Sequence, residues 1–385
     1  MRILFVSMHS IHSTRWIENL KNSEHELYWF DISNQGKIDA LETVNQISGW
    51  KKRKLPYIKG EYWLSKKFPK LYKSLQPYLE TTENEAIEKV IQQINPDVVH
   101  SFEMHAASYP IVKTMNKYPN IKWLYSCWGN DLFYYQDFPY HKNRIKDVLK
   151  RADYLHADCQ RDYPIAYNLG FKGTSFEMIP TGGGFKIQEL EAYKEPIEQR
   201  KIILVKGYHH EFGRALNVIK ALERLKDKIS RYEVVIFGAH AVVQNYVNKN
   251  NLKYKVYGRH DLSHKKILEL MGKSLIYIGN NISDGMANTL LEAIIMRAFP
   301  IQSNPGNVSA EIIEDGVNGL LINDPENIDS IAALISKAID NPEMLENASR
   351  INEKIAIERL DYNVNQKKIE ALYRKLEENS KIEIK

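Results

Sequence analysis

Two carboxylates, Asp284 and Glu292, are separated by seven residues, among them Gly285, Asn288, Thr289 and Leu290. A helix that opens here leaves its first N–H groups without intrahelical partners and carries a partial positive charge, which suits a phosphate. The amides of Asn288, Thr289 and Leu290 are the expected donors. Glu292, one turn in, cannot help to hold a phosphate, but it can accept hydrogen bonds from ribose hydroxyls. Asp284 can do the same for a sugar, and Gly285 leaves space beside it. Taken singly, Asp284-Gly285 is also a common turn, and Glu292 is also a residue favoured by the helix dipole.

These groups need a frame. Leu275 to Ile278 and Phe299 to Gln302 are short apolar runs that read as buried strands. Between them Leu290, Leu291, Ile294 and Ile295 give a helix one apolar face, with Asn288 as the expected N-cap. Strand, loop, helix and strand make a βαβ unit, in which ligands lie at the carboxyl ends of the strands. An earlier strand, Lys201 to Val205, runs into Lys206, Gly207 and Arg214, with a helix expected from about Gly213. Two cations at such an edge suit a diphosphate, though either can be an ordinary solvated charge. Tyr232 to Phe237 and Tyr254 to Tyr257 supply further strands.

The amino-terminal half repeats the rhythm. Ile3 to Val6, Glu26 to Phe30, Asp97 to His100, Lys122 to Ser126 and Tyr154 to Ala157 alternate with helical stretches, as in a doubly wound parallel sheet. His9 and His12 follow the first strand, in a loop expected to enter a helix near Thr14. His105 follows the third, and Trp128-Gly129-Asn130-Asp131 follows the fourth. Trp and Asp in a tight glycine turn offer a stacking face and a carboxylate for a sugar ring, or else Asp131 caps the next helix. The Gly182-Gly183-Gly184 run after Pro180 is the expected domain boundary and hinge. The expected division is 1–185 and 186–362, with a helix in 363–385.

Composition bounds the rest. The chain has 385 residues, 43% of them hydrophobic and 26% charged, enough for two soluble domains. Two cysteines, Cys127 and Cys159, exclude a disulfide framework and favour a reducing, cytoplasmic setting. No run approaches the roughly 20 apolar residues of a membrane span, and the first strand is too short for a signal-peptide core. Residues 50–78 break the pattern. Nine basic side chains, Lys51 to Lys54 with Arg53 among them, Lys59, Lys66, Lys67, Lys70 and Lys73, are interleaved with seven aromatic ones, and Glu61 is the only acid before Glu80. Such a segment suits an anionic membrane surface, with a solvated insertion and a nucleic-acid contact as the alternatives; no nucleic-acid partner is expected.

The paired acids, the Leu290-Leu291-Glu292-Ala293 run, the turn at Gly316 and Gly319, the Trp128 to Asp131 loop and the Pro180-Thr181-Gly182 link resemble glycosyltransferase family 4. The resemblance implies a GT-B fold, α/β, with two Rossmann-like doubly wound parallel-sheet domains and an interdomain cleft. It implies a donor-side second domain, where Glu292 holds the ribose of a nucleotide sugar. Lys206, Arg214 and the amides of Thr289 and Leu290 neutralise the diphosphate, and backbone near Tyr257 and Gly258 meets the base. It implies a first domain facing the acceptor, with His9, His12, Trp128 and Asp131 on that side, and a last helix that crosses back to this domain. Asp284, where the family more often has Glu, contacts the donor sugar. Phe102 stands where relatives often have His, which leaves His105 as the catalytic histidine. The expected reaction is retaining transfer of a sugar from a nucleotide diphosphate sugar to a glycan or lipid-linked acceptor, in polysaccharide or cell-envelope assembly. A nucleotide-sugar epimerase of the same fold and a non-catalytic nucleotide-sugar binding partner are the alternatives. No metal or other cofactor is expected, and no Asp-x-Asp occurs in the sequence.

Overall fold

The β-branched and aromatic runs become strands buried on both faces, as a parallel sheet covered by helices requires. In a computed structural model that describes residues 1–382, and the side chains of 1–379, they form two all-parallel sheets. The first contains β1 (Arg2–Ser7), β2 (Glu26–Asp31), β3 (Asn45–Ile47), β4 (Val98–Phe102), β5 (Lys122–Cys127), β6 (Tyr154–Ala157) and β7 (Thr174–Ser175), in the order β3-β2-β1-β4-β5-β6-β7. The second contains β8 (Ile202–Lys206), β9 (Glu233–Ala239), β10 (Lys255–Gly258), β11 (Ser274–Gly279), β12 (Phe299–Ser303) and β13 (Leu320–Ile322), in the order β10-β9-β8-β11-β12-β13.

Each sheet reverses its winding once, between β1 and β4 in the first and between β8 and β11 in the second. At such a switch point the loops leaving the two strands diverge and open a crevice beyond their carboxyl ends. In the second sheet Ile278 pairs with Val205, so β8 and β11 finish level, at Lys206 and Gly279. In the first, Val6 pairs with Ser101, which sets the loops after Ser7 and Phe102 side by side.

Two compact units carry these sheets. One comprises Met1–Ala157, Asp162–Met178 and the residues from Lys368; the other comprises Asp158–Arg161 and Ile179–Lys367. The helix Tyr362–Ile382 therefore begins in the second unit and continues in the first. A buried polar chain fixes it there. The Trp16 indole donates to the Tyr373 hydroxyl at 3.1 Å, that hydroxyl lies 2.6 Å from Nδ1 of His100, and Nε2 of His100 lies 2.7 Å from Ser126 Oγ. Burial, with His156 adding to it, holds the His100 pKa well below the ordinary histidine value, so the chain is a neutral one. Gly182, Gly183 and Gly184 all have positive φ, and a Cβ on Gly184 would meet the Asp361 carbonyl at 2.9 Å. Phe185 pairs with Leu360 and Tyr362 through the backbone, so these glycines sit in a packed segment of the second unit.

Residues 50–78 form two short helices, Glu61–Lys67 and Pro69–Leu79. Among the described residues, no helix is long and apolar enough to cross a membrane.

Candidate functional site

At the switch point of the second sheet, the loop after β8 and the loop after β11 are zipped together. Arg214 donates its amide to the Asn280 carbonyl at 2.8 Å, and Ile282 donates to Phe212 at 2.8 Å. Asn281 is anchored from below by Ser303 Oγ at 2.8 Å, and its side-chain amide donates to Asp284 Oδ2 at 2.8 Å. The Gly285 amide donates to Asp284 Oδ1 at 3.0 Å. Asp284 is thus aimed, with Lys206 Nζ 3.9 Å from its Oδ2.

Lys206 also lies over the Tyr208 ring, 4.9 Å from its centroid, and the Arg259 guanidinium approaches the same ring at 5.9 Å. Gly238 makes room for the Tyr208 ring, and Gly207 lets the loop pass close to β9. A Cβ at Gly238, whose φ is +63°, would strike the ring at 2.7 Å, and one at Gly207 would come within 2.7 Å of the Ala239 backbone. His240, the residue after β9, packs edge-on to Tyr208, with ring centroids 5.6 Å apart, and lies 5.3 Å from His210. Burial lowers the His210 pKa, and neighbouring His240, Lys206 and Arg259 lower it further while Asp284 opposes them. Arg259, just past β10, therefore joins Lys206, the last residue of β8, in a cationic cluster around the Tyr208 ring, with the His240 ring, just past β9, packed beside it.

The Arg214 side chain is engaged differently. Its guanidinium is paired with Glu326 and donates to the carbonyls of His210, Glu211 and Gly213. The helix after it begins at Ala215, two residues later than the expected Gly213. Sequence reading singled out Lys206 but passed over Arg259. The signal was available, because Arg259 follows its strand directly, as a ligand group at a carboxyl edge should.

The helix expected after Asp284 spans Asn288–Ile295, and its N-cap is Ala287 rather than Asn288. Alanine has no group to cap the first turn, so the helix opens without side-chain help. The Leu290 amide bonds to the Ala287 carbonyl at 2.9 Å, which removes it from the expected phosphate donors; Asn288 and Thr289 remain in the first turn. Thr289 Oγ1 accepts from the Tyr277 hydroxyl at 2.8 Å. Burial, with the Asp284 and Glu292 charges adding to it, pushes the Tyr277 pKa up, which keeps that hydroxyl a donor. Glu292 is 4% exposed, and its Oε1 lies 2.6 Å from Nε2 of His264, which is more open to solvent. Tyr257 and Gly258 end β10, and the Gly258 amide donates to Asp261 Oδ2 at 2.6 Å. A cavity of about 400 Å³ opens at the opposite, amino-terminal edge of this sheet, lined by Lys201, Tyr232 and Leu275, and it shares none of these groups.

The switch point of the first sheet has a different character. The helix there starts at Ile11, earlier than the expected Thr14, because Ser10 Oγ caps it by accepting from the His12 amide. His9 Nε2 lies 2.9 Å from the Gly36 carbonyl and 3.5 Å from Asp31. The His12 ring meets Trp128 edge-on, with centroids 5.5 Å apart. His105 sits in a π-helical turn, Met104–Ser108, with Nδ1 2.9 Å from Glu103 Oε1 and its ring among Tyr109, Tyr135 and His141. Glu103 holds a φ of +71°, a backbone state that L side chains rarely adopt.

Asp131 is neither an N-cap nor open to a ligand. The cap of the helix Asn130–Phe133 is Gly129, and Asp131 is 2% exposed. Its two oxygens accept from the Tyr125 hydroxyl at 2.7 Å, the Trp128 amide at 3.0 Å, the Met104 amide at 3.1 Å and Cys127 Sγ at 3.1 Å. It ties the Trp128 loop to the His105 turn. Burial, with the Glu103 charge next, pushes its pKa up to about 6.

Residues 187–355 match the family model for glycosyl transferases group 1, and residues 2–159 match that for glycosyl transferase 4-like proteins. No curated protein matches by sequence. Similar solved structures include a glycosyltransferase from Rickettsia africae ESF-5, 18% identical with a TM-score of 0.69, covering 98% of this chain and 99% of that one. Anabaena HepE in complex with UDP and glucose is 16% identical, with a TM-score of 0.66 and coverage of 97% and 99%. A sucrose-phosphate synthase from Thermosynechococcus elongatus is 15% identical, with a TM-score of 0.73 and coverage of 98% and 99%. With six strands of the first sheet and all of the second lying in segments matched by glycosyltransferase models, the chain belongs to the family 4-like glycosyltransferases of GT-B fold.

Proposed function

We propose that the protein is a retaining transferase that moves a sugar from a nucleotide diphosphate sugar to a glycan or lipid-linked acceptor, in polysaccharide or cell-envelope assembly at the inner face of a membrane. The observation that carries the donor half is the cationic cluster of Lys206 and Arg259 over Tyr208, set against Asp284 at a switch point and beside an uncapped helix start. Glycosyl transfer breaks the bond between the anomeric carbon and a phosphate oxygen. Positive charge grows on the sugar and negative charge on the diphosphate. Lys206, Arg259 and the amides of Asn288 and Thr289 stabilise the latter, and Lys206 exchanges Asp284 for a phosphate oxygen when donor binds. Asp284, released, hydrogen-bonds the donor sugar, and Glu292 exchanges His264 for ribose hydroxyls. No resident metal is required in this reading, since the charge-stabilising role is filled by side chains and the helix dipole.

In the first unit His105, oriented by Glu103, is the group assigned to catalysis on the acceptor side, with His9, His12 and Trp128 around the acceptor. Asp131 shapes that surface from beneath. The Anabaena relative was solved with UDP and glucose, which supports a UDP-sugar as the first donor to try. Incubation with a panel of nucleotide sugars, followed by proton NMR of the product, tests the reading. Slow release of nucleotide diphosphate and a product with the donor's anomeric configuration support it. An inverted anomer, a changed sugar still on its nucleotide, or binding without turnover would each refute it.

A further inference from the structure

We propose that the helices Glu61–Lys67 and Pro69–Leu79 are a docking surface for an anionic lipid bilayer. The helix Pro69–Leu79 has no buried residue, and Glu61 is the one buried residue of its neighbour. Packing against a core therefore does not explain why this hairpin is shaped. A polar clamp does. Arg53 forks onto both oxygens of Glu61 at 2.7 and 2.8 Å, Tyr72 donates to the same carboxylate at 2.8 Å, and the Ile58 amide adds a bond at 3.3 Å. The base is closed by backbone pairing of Lys54 with Leu79 and of Thr81 with Lys52, each at 2.8 Å.

The clamp presents an apolar outer face. Among the described residues, nine of the 17 exposed large apolar side chains fall between Leu55 and Tyr78, so they form a cluster rather than the usual single scatter. Leu71, Leu75 and Tyr78 recur at i, i+4 and i+7, 52%, 39% and 73% exposed, which draws one stripe along the helix. Tyr62 and Trp63 extend it onto the preceding helix, where Lys66 lies 5.6 Å from the Tyr62 ring centroid and Lys67 lies 5.1 Å from that of Trp63.

Charge selects the occupant. The one acid inside the segment is already neutralised by Arg53, and among the described residues no acid pairs with Lys52, Lys59, Lys66, Lys67, Lys70 or Lys73. Unpaired lysines of one sign around Tyr, Trp and Leu match a bilayer, whose headgroups take the charges and aromatic rings while its acyl boundary takes the leucines. A nucleic acid would use the lysines and leave the leucine stripe in water. The surface deepens the transfer reading in one respect, since it says where a lipid-linked acceptor is met, but vesicle binding itself requires no transfer.

The test is sedimentation of the full chain with vesicles of phosphatidylcholine alone and with added phosphatidylglycerol. Wild type should pellet with the anionic vesicles and stay in solution with the neutral ones. Neutralising Lys66, Lys67, Lys70 and Lys73 to Gln should weaken binding on the order of fivefold per lysine, and Trp63→Ser with Leu71→Ser and Leu75→Ser should abolish it. Both variants should keep the wild-type melting temperature and nucleotide release without vesicles, which separates lost docking from lost folding. Equal pelleting with both vesicles, wild-type binding in either variant, or self-association or nucleic-acid binding through this face in place of vesicle binding would overturn the proposal. Vesicle binding without nucleotide release would instead count against the transfer reading alone.

Discussion

The two sheets share one winding scheme, yet their switch points differ in chemistry. Around the carboxyl ends of β8 and β11, Lys206 faces Asp284 at 3.9 Å and the Glu292 carboxylate meets the His264 ring at 2.6 Å. Around the switch point of the first sheet aromatic and imidazole rings gather, as where His12 meets Trp128 edge-on, and the Asp131 carboxylate is sealed beneath the surface. Topology thus sets where a ligand lies, and the residues just past each strand set which ligand it is. A region of paired, exchangeable charge suits a diphosphate. A region of rings suits the apolar faces of a sugar, with its polar groups committed to holding loops.

The largest effect that could break this contrast is expected at Lys206. Lys206→Ala should lower the turnover number by about 10² to 10³, the cost of losing one group that stabilises developing charge. Asp131→Ala, in the other unit, should instead cost stability, on the order of 3 kcal/mol from stranded buried donors, read as a fall in melting temperature.

Asp131 also gives the contrast a pH signature. Its folded pKa is raised from 3.8 to about 6, so the folded state favours the protonated carboxyl. The stabilisation is complete below the unfolded value and is lost as pH rises through about 6. The melting temperature of the wild type, measured against Asp131→Asn, should therefore fall between those two values and level off above them.

A smaller effect sharpens the donor side. Arg259→Ala should raise the donor KM by about tenfold, as for a charged contact near a phosphate, while Arg214→Ala should change it far less. Reversal of that order would return the diphosphate to Arg214. Smallest is Asp284→Glu, which lengthens the side chain by one methylene toward the form usual in the family. Its turnover should stay within about tenfold of wild type, while Asp284→Asn, which removes the charge, should lose more.

The frame of this molecule was readable because parallel strands buried on both faces leave continuous apolar runs, such as Leu275 to Ile278, and because Asp284 and Glu292 keep their spacing on one chain segment. Arg259 was harder to find, since its link to Lys206 depends on strand order, which places β10 two strands from β8. The roles of Arg214 and Asp131 were hidden for a related reason. A charged residue in a loop reads the same whether it is open to a ligand or makes the bonds that tie loops down, as buried Asp131 does to two neighbouring loops and the Arg214 guanidinium does to three carbonyls of its own loop.

Nucleotide diphosphate release from the best donor of the panel, compared among wild type, Lys206→Ala and Glu292→Ala, tests the central claim most directly. Release by wild type and its near-complete loss in both variants is the predicted result. Full release by both variants would contradict the assignment of the donor site to the switch point of the second sheet.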